Sequence, residues 1–362
     1  MSTTPNPELL KTRQHFQILD GLRGVAAVTV VIFHFMEIAQ PDYEKSFVGH
    51  AFLAVDFFFC LSGFVIAYAY DTRIKEIGFS TFVKLRLIRL HPLVIIGSII
   101  GLLCWLFDPF SDLHTKYGAA KAVIMFITSC LMIPYPVIRE RYFNLFHYNP
   151  PSWSLFWEYI ANIFYALVLV KLRNKILWVL VVIAAGLIIF EASRSGNLSG
   201  GWGGDNIPAG FIRVFYSFLA GMLVYRLGWI LKTRLGFLSV SILLLAVLTS
   251  QYSNKWNFIS EPLIVIFVLP FLVSLGAGAT LRPVFNHICK FSGELSYPLY
   301  MVHYPFIWIF FSYIEKCKPA VNELLIVIPV SVVLLVVFAW LIMTFIDVPI
   351  RKYLKRRMER SL

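Results

Sequence analysis

The residues with chemistry to offer are the ionisable side chains that interrupt otherwise apolar stretches. Such charges are costly in a bilayer and usually functional. Asp20-Gly21-Leu22-Arg23-Gly24 opens the first apolar run, and His34 lies deep within it. Arg23 and His34 are eleven residues apart, which at 3.6 residues per turn puts them within about 20° of one helix face and about 16 Å apart along the axis. One helix would thus hold a cation near the inner surface and an imidazole toward the outer one. Histidine titrates in the range a general base needs.

Five further stretches carry candidates. Asp56, in Val55-Asp56-Phe57-Phe58-Phe59-Cys60-Leu61-Ser62-Gly63-Phe64, is expected in the outer third of the second span, where it would fix the tautomer or basicity of His34. Ser62 and Gly63 read as small packing residues. Arg86-Leu87-Ile88-Arg89-Leu90-His91-Pro92 opens the third span from inside. Arginine forks match phosphate oxygens, so Arg86 and Arg89 with Arg23 would form an inner anion site. Trp153-Ser154-Leu155-Phe156-Trp157-Glu158 starts the fourth span from outside, with Glu158 about one turn in. Arg213, at the outer start of the sixth, is the expected partner of Glu158 or a contact to an acceptor. His303 sits between Pro298 and Pro305 in a span that those prolines should kink around a cavity.

The elements that must position these residues follow from composition. The 362 residues are 59% hydrophobic and 14% charged, with mean hydropathy +0.74, against about 25% charged in soluble domains. That excludes an ordinary water-soluble globule and a disordered chain. Long continuous apolar runs argue against a β-barrel. The expected fold is an all-α integral membrane protein of about ten spans, near 21–39, 50–70, 90–107, 153–170, 176–192, 209–227, 235–250, 257–277, 294–313 and 322–346. Lys11 and Arg13, Lys84 to Arg89, and the tail from Arg351 to Arg360 place both termini in the cytoplasm by the positive-inside rule. An even number of crossings is then required, so the weaker stretch near 120–137 is read as a non-crossing hairpin on the outer side. The chain divides into a cytoplasmic tail (1–18), a membrane domain (19–350) and a basic cytoplasmic tail (351–362).

Net charge is +12. In this setting it reflects inner loops and contact with membrane lipid, not nucleic acid. The five cysteines form no Cys-x-x-Cys or Cys/His cluster, so no metal is expected. The first apolar run lacks a small-residue cleavage pattern and reads as an uncleaved span. The Gly-rich loop 195–208 lacks a P-loop ending and reads as a flexible connector, or more sharply as a lid over an acceptor.

Together these pieces resemble the acyltransferase-3 family of integral membrane O-acyltransferases. The matching elements, in order, are Leu19-Asp20-Gly21-Leu22-Arg23-Gly24 with Arg23-x10-His34, the Asp56–Phe64 segment, and Arg86 and Arg89 with Pro92. Trp153-Ser154-Leu155 with Glu158, and Ser296-Tyr297-Pro298-Leu299-Tyr300 with His303, complete the set. Asp347-Val348-Pro349 stands where the family tends to have Glu-x-Pro. The resemblance implies cytosolic acetyl-CoA as donor, a carbohydrate hydroxyl on the outer side as acceptor, and an essential Arg23–His34 pair. It also implies a stand-alone membrane domain, so that transfer is completed by this domain or by a separate extracytoplasmic partner.

On this reading His34 deprotonates the sugar hydroxyl and Asp56 or Glu158 orients it. Arg23, Arg86 and Arg89 hold coenzyme A, while Trp153, Ser154, Arg213 and His303 face the acceptor. The setting is the inner (plasma) membrane. The competing class is a transporter or flippase of a lipid-linked sugar, which shares the spans and the intramembrane charges but moves cargo without thioester loss.

Overall fold

The computed structural model describes residues 16–360. Lys11 and Arg13, which orient the N-terminus in the charge argument, lie outside the described residues. Fourteen α-helices account for most of the rest, and no β-strand occurs among the described residues. They are α1 (Gln17–Ala39), α2 (Ala54–Tyr70), α3 (Ile74–Leu106), α4 (Leu113–Cys130), α5 (Ser152–Leu167), α6 (Asn174–Ser195) and α7 (Ile207–Arg226). There follow α8 (Phe237–Leu248), α9 (Asn257–Leu263), α10 (Leu269–Gly278), α11 (Asn286–Val302), α12 (Tyr304–Cys317), α13 (Val321–Ile342) and α14 (Val348–Arg360).

Seven helical stretches among the described residues are long and apolar enough to cross a membrane: Gln17–Ala39, Ala51–Tyr70, Ile74–Leu106, Asn174–Ser195, Ile207–Arg226, Asn257–Gly278 and Val321–Arg360. Large apolar side chains such as Val182, Ile242, Phe267 and Leu325 point outward, the arrangement a lipid solvent favours. The protein is therefore a multi-pass membrane protein. The other three expected spans fall on shorter elements. α5 has 16 residues and α8 has 12. The stretch 294–313 is divided at His303, where Tyr304-Pro305 opens α12.

Two of the long rods contain a π-helical turn, Ile264–Val268 between α9 and α10 and Met343–Asp347 between α13 and α14. Such turns shift the register of a helix and often mark functional positions. The second one sets Asp347 and continues into α14, so the expected basic tail is helical as far as Arg360.

Close backbone approach sets the frame. A β-carbon on Gly221 would stand where the carbonyl oxygen of Cys60 sits, and one on Gly63 would meet the carbonyl of Phe218. α2 and α7 thus touch through glycine, the small-residue contact of membrane bundles. α1 and α11 run parallel: Gly21 packs on Cys289 and Gly24 on Ser292 near one end, and ten residues on His34 stacks on His303. The far ends of these helices thus bring two imidazoles together.

α4 returns antiparallel along α3, with Tyr117 beside Trp105 and the Ser129 hydroxyl 2.8 Å from that of Ser98. Its end reaches only eight residues, about 12 Å, from the end of α3. The chain climbs back through 131–143 and dips again, so that Tyr148 and Asn149 lie against Gly101 and Gly97, about one to two and a half turns inside the end of α3. α5 consequently starts at depth rather than at a surface.

Candidate active site

α1 carries one polar cluster at each end. At its start, Arg23 lies 3.5 Å from Asp20. Arg23, Arg86 and Arg351 all act electrostatically on Arg89, as does Glu158. Arg86 Nη2 donates to Glu158 Oε1 at 2.8 Å, and the Ser62 hydroxyl donates to the same oxygen at 3.0 Å. Arg351 pairs with Asp347 at 2.6 Å, and the Asp347 carboxylate is fully buried. Four arginines from α1, α3 and α14 thus converge with fewer acids than cations, and Arg89 is exposed. This end of α1 therefore carries an excess of positive charge, the electrostatics that suit an anion.

At the other end, the His34 imidazole lies 2.6 Å by Nδ1 from Glu37 Oε1. A carboxylate only accepts, so Nδ1–H donates, and in the neutral imidazole Nε2 carries the lone pair. Glu37 also accepts from the Tyr43 hydroxyl at 3.1 Å and the Tyr304 hydroxyl at 3.5 Å. His303 stacks on His34 with centroids 5.3 Å apart. The His303 Nδ1–H donates to the Leu299 carbonyl at 3.0 Å, leaving a buried Nε2 without a partner among the described residues. His34 and Glu37 are each about one-fifth exposed, at 19% and 20%, so the imidazole is reachable.

This differs from the expected wiring in three ways. First, the carboxylate that meets His34 is neither Asp56 nor Glu158 but Glu37, one helical turn further along α1. Second, Asp56 is held by Arg213, whose Nη2 donates to Oδ2 at 2.6 Å, with both side chains essentially inaccessible. The Arg213 guanidinium also donates to the carbonyls of Gly200 and Phe52 and lies over the Trp153 ring. A buried pair satisfied this fully is a structural tie. Third, Glu158 does not reach Arg213. Because α5 starts deep, Glu158 falls at the level of Arg86 and joins the arginine end.

The remaining candidates fall between the clusters. The Ser154 hydroxyl is 2.8 Å from that of Tyr300 and donates to the Pro151 carbonyl. Trp153 is buried against Arg213 rather than lining an open face. The Gly-rich loop 195–208 is not a loose connector. Leu198 N–H donates to buried Glu261, Gly200 accepts from Arg213, and Asn206 Oδ1 accepts from the N–H groups of Gly201 and Gly203. No group of three or more metal-ligating side chains occurs among the described residues.

Comparison with known proteins identifies the class. The family described as "Acyltransferase domain" matches residues 16–344, so the chain belongs to that family of membrane acyltransferases. Among individual relatives, "O-acetyltransferase OatA" of Staphylococcus aureus (strain NCTC 8325) is 25% identical over 92% of this chain and 57% of its own length. "Protein 2 in picA locus" of Rhizobium radiobacter is 35% identical over 42% of this chain and 82% of its own length. A protein of S. aureus strain COL is 26% identical over 97% of this chain. The chain spans about 60% of the length of these staphylococcal relatives. No solved structure matches it.

Proposed function

We propose that the protein is an O-acetyltransferase that moves an acetyl group from cytosolic acetyl-CoA to a hydroxyl of a cell-surface or lipid-linked carbohydrate. The observation that carries this reading is the division of labour along α1. An arginine cluster stands at one end, and an imidazole oriented by a carboxylate stands about 16 Å further on. In this reading the chain crosses the inner membrane ten times, with both termini cytoplasmic and 113–151 as a re-entrant segment on the outer side. The arginine end then faces the cytosol.

Arg23, Arg86, Arg89 and Arg351 receive the phosphates of coenzyme A, and its long pantetheine arm carries the thioester toward His34. His34 Nε2 takes the proton of the acceptor hydroxyl. The oxygen attacks the thioester carbonyl carbon, the C–S bond breaks, and the proton passes from His34 to the departing thiolate. Glu37 stabilises the imidazolium that forms in between. His303 Nε2, an unused acceptor beside the base, is placed to take a hydrogen bond from a neighbouring hydroxyl of the same sugar. A separate extracytoplasmic partner can present or pass on the acceptor.

Inside-out vesicles given labelled acetyl-CoA test this. The wild type is expected to release CoA and label the glycan fraction, while His34→Ala abolishes both and still binds CoA. Turnover retained by His34→Ala removes His34 as the base. Cargo movement without thioester loss in the wild type replaces the whole reading by transport.

A further inference from the structure

An apolar groove of about 650 Å³ runs between α3 and the α13–α14 rod, where its lining residues Leu87, Ile88 and Ile350 are chain neighbours of Arg86, Arg89 and Arg351. Its walls are Leu87, Ile88, His91, Ile95 and Ile99 on α3, faced by Ile346, Ile350 and Leu354. The lining reaches from residue 87 to residue 100 on α3, about 20 Å at 1.5 Å per residue. A single leaflet offers about 15 Å of hydrocarbon, so the groove is long enough to hold one acyl chain lying along one leaflet.

Helical register then places a cation on each wall at the same mouth. Lys84 precedes His91 by seven residues, and Arg357 follows Ile350 by seven. Seven residues return to within about 20° of the starting face. Both cations therefore continue a groove stripe about one turn past its last apolar residue. Lys84 and Arg357 are both exposed, and neither carries an ion pair among those formed by the described residues. An apolar slot one leaflet long with two unneutralised cations at its end is complementary to an anionic headgroup attached to an acyl chain. It is a poor match for a zwitterionic lipid, whose own cation would oppose Lys84 and Arg357.

We infer that this groove is a binding site for an anionic glycerophospholipid, its chain between α3 and α14 and its phosphate between Lys84 and Arg357. The site stands whether or not the chain transfers acetyl groups. It has a consequence for the arginine cluster all the same. α14, which forms one wall, also carries Arg351, so an occupied groove braces that residue against α3.

The test is lipid retention by the purified full-length protein, read by native mass spectrometry after exchange into phosphatidylglycerol or phosphatidylcholine. The wild type is expected to keep one phosphatidylglycerol in preference to phosphatidylcholine. A basic residue near an anionic surface changes binding about fivefold. The exposed double substitution Lys84→Glu with Arg357→Glu should therefore cut phosphatidylglycerol retention about 25-fold or more and spare phosphatidylcholine. Ile95→Trp, which fills the slot, should lower retention of both. Equal retention of the two lipids by the wild type overturns the proposal. So does undiminished phosphatidylglycerol retention by the charge-reversed protein, which keeps the core intact and melts as the wild type does.

Discussion

Replacing Glu37 by glutamine isolates the part of the mechanism that rests on one contact. The change removes a charge and keeps the shape. In the native arrangement the carboxylate lies 2.6 Å from His34 Nδ1, so the imidazolium formed when the base takes its proton sits about 4 Å from the negative charge. At an effective dielectric near 20, suited to groups only partly shielded from solvent, that attraction is about 4 kcal/mol. One factor of ten in rate corresponds to about 1.4 kcal/mol, so transfer should fall about a thousandfold. A glutamine can also turn its amide N–H toward Nδ1, which would move the ring proton to Nε2 and leave no base facing the acceptor. The assay is initial CoA release and glycan labelling in vesicles across a range of acetyl-CoA concentrations. The loss should fall on kcat, with the KM for acetyl-CoA within about twofold of wild type, because the arginine cluster is untouched. Glu37→Asp should recover part of the rate. If Glu37→Gln retains a third or more of wild-type kcat, the carboxylate does not set the tautomer of His34. An equal rise in KM would instead mean that the substitution disturbs the bundle.

Three further outcomes follow from the same geometry. Asp56→Ala or Arg213→Ala leaves an uncompensated buried charge and should cost about 3–5 kcal/mol; a lowered midpoint in detergent thermal unfolding, with any folded fraction still turning over at the normal rate, would confirm a structural tie, and unchanged stability would refute it. Arg351→Ala should raise the KM for acetyl-CoA about tenfold or more with little change in kcat, and a kcat-only effect in steady-state kinetics would remove Arg351 from the donor site. Hydrogen bonds from Lys116 and Tyr117 hold the Glu140 carboxyl down at about 2, below the unfolded value of about 4.3. The tie between α4 and the following loop is then complete above about pH 4.3 and lost as pH falls toward about 2; hydrogen exchange in residues 131–144 should rise over that window, and Glu140→Gln should exchange fast at neutral pH as well.

Much of this architecture is legible in the amino-acid sequence because a membrane leaves few choices. Uninterrupted apolar runs must become helices, since every backbone polar group needs a partner inside the same segment. The few charges that interrupt them stand out against that background. The eleven-residue step from Arg23 to His34 already dictates one helix face and two membrane levels, by the pitch of the helix alone. The ordered motifs were enough to indicate the family that the comparison bears out.

Which charges meet was decided only by the tertiary structure. Asp56 and His34 share an expected depth, but helix rotation turns Asp56 to α7, where Arg213 claims it. Glu158 reads as an outer residue until the chain at Tyr148 and Asn149 dips against Gly101 and Gly97 and starts α5 at depth. Arg351 reads as part of a basic tail until the rod of α13 and α14 carries it back to Arg89. Glu37 left the clearest local signal, being three residues from His34 on the same face, yet at the end of a span it is easily taken for an interfacial acid. Helical period is a property of one segment and can be counted along the chain. Pairing between segments depends on rotation, depth and kinks, which arise from packing contacts such as Gly63 on Phe218 and Gly24 on Ser292, made only once the helices have assembled.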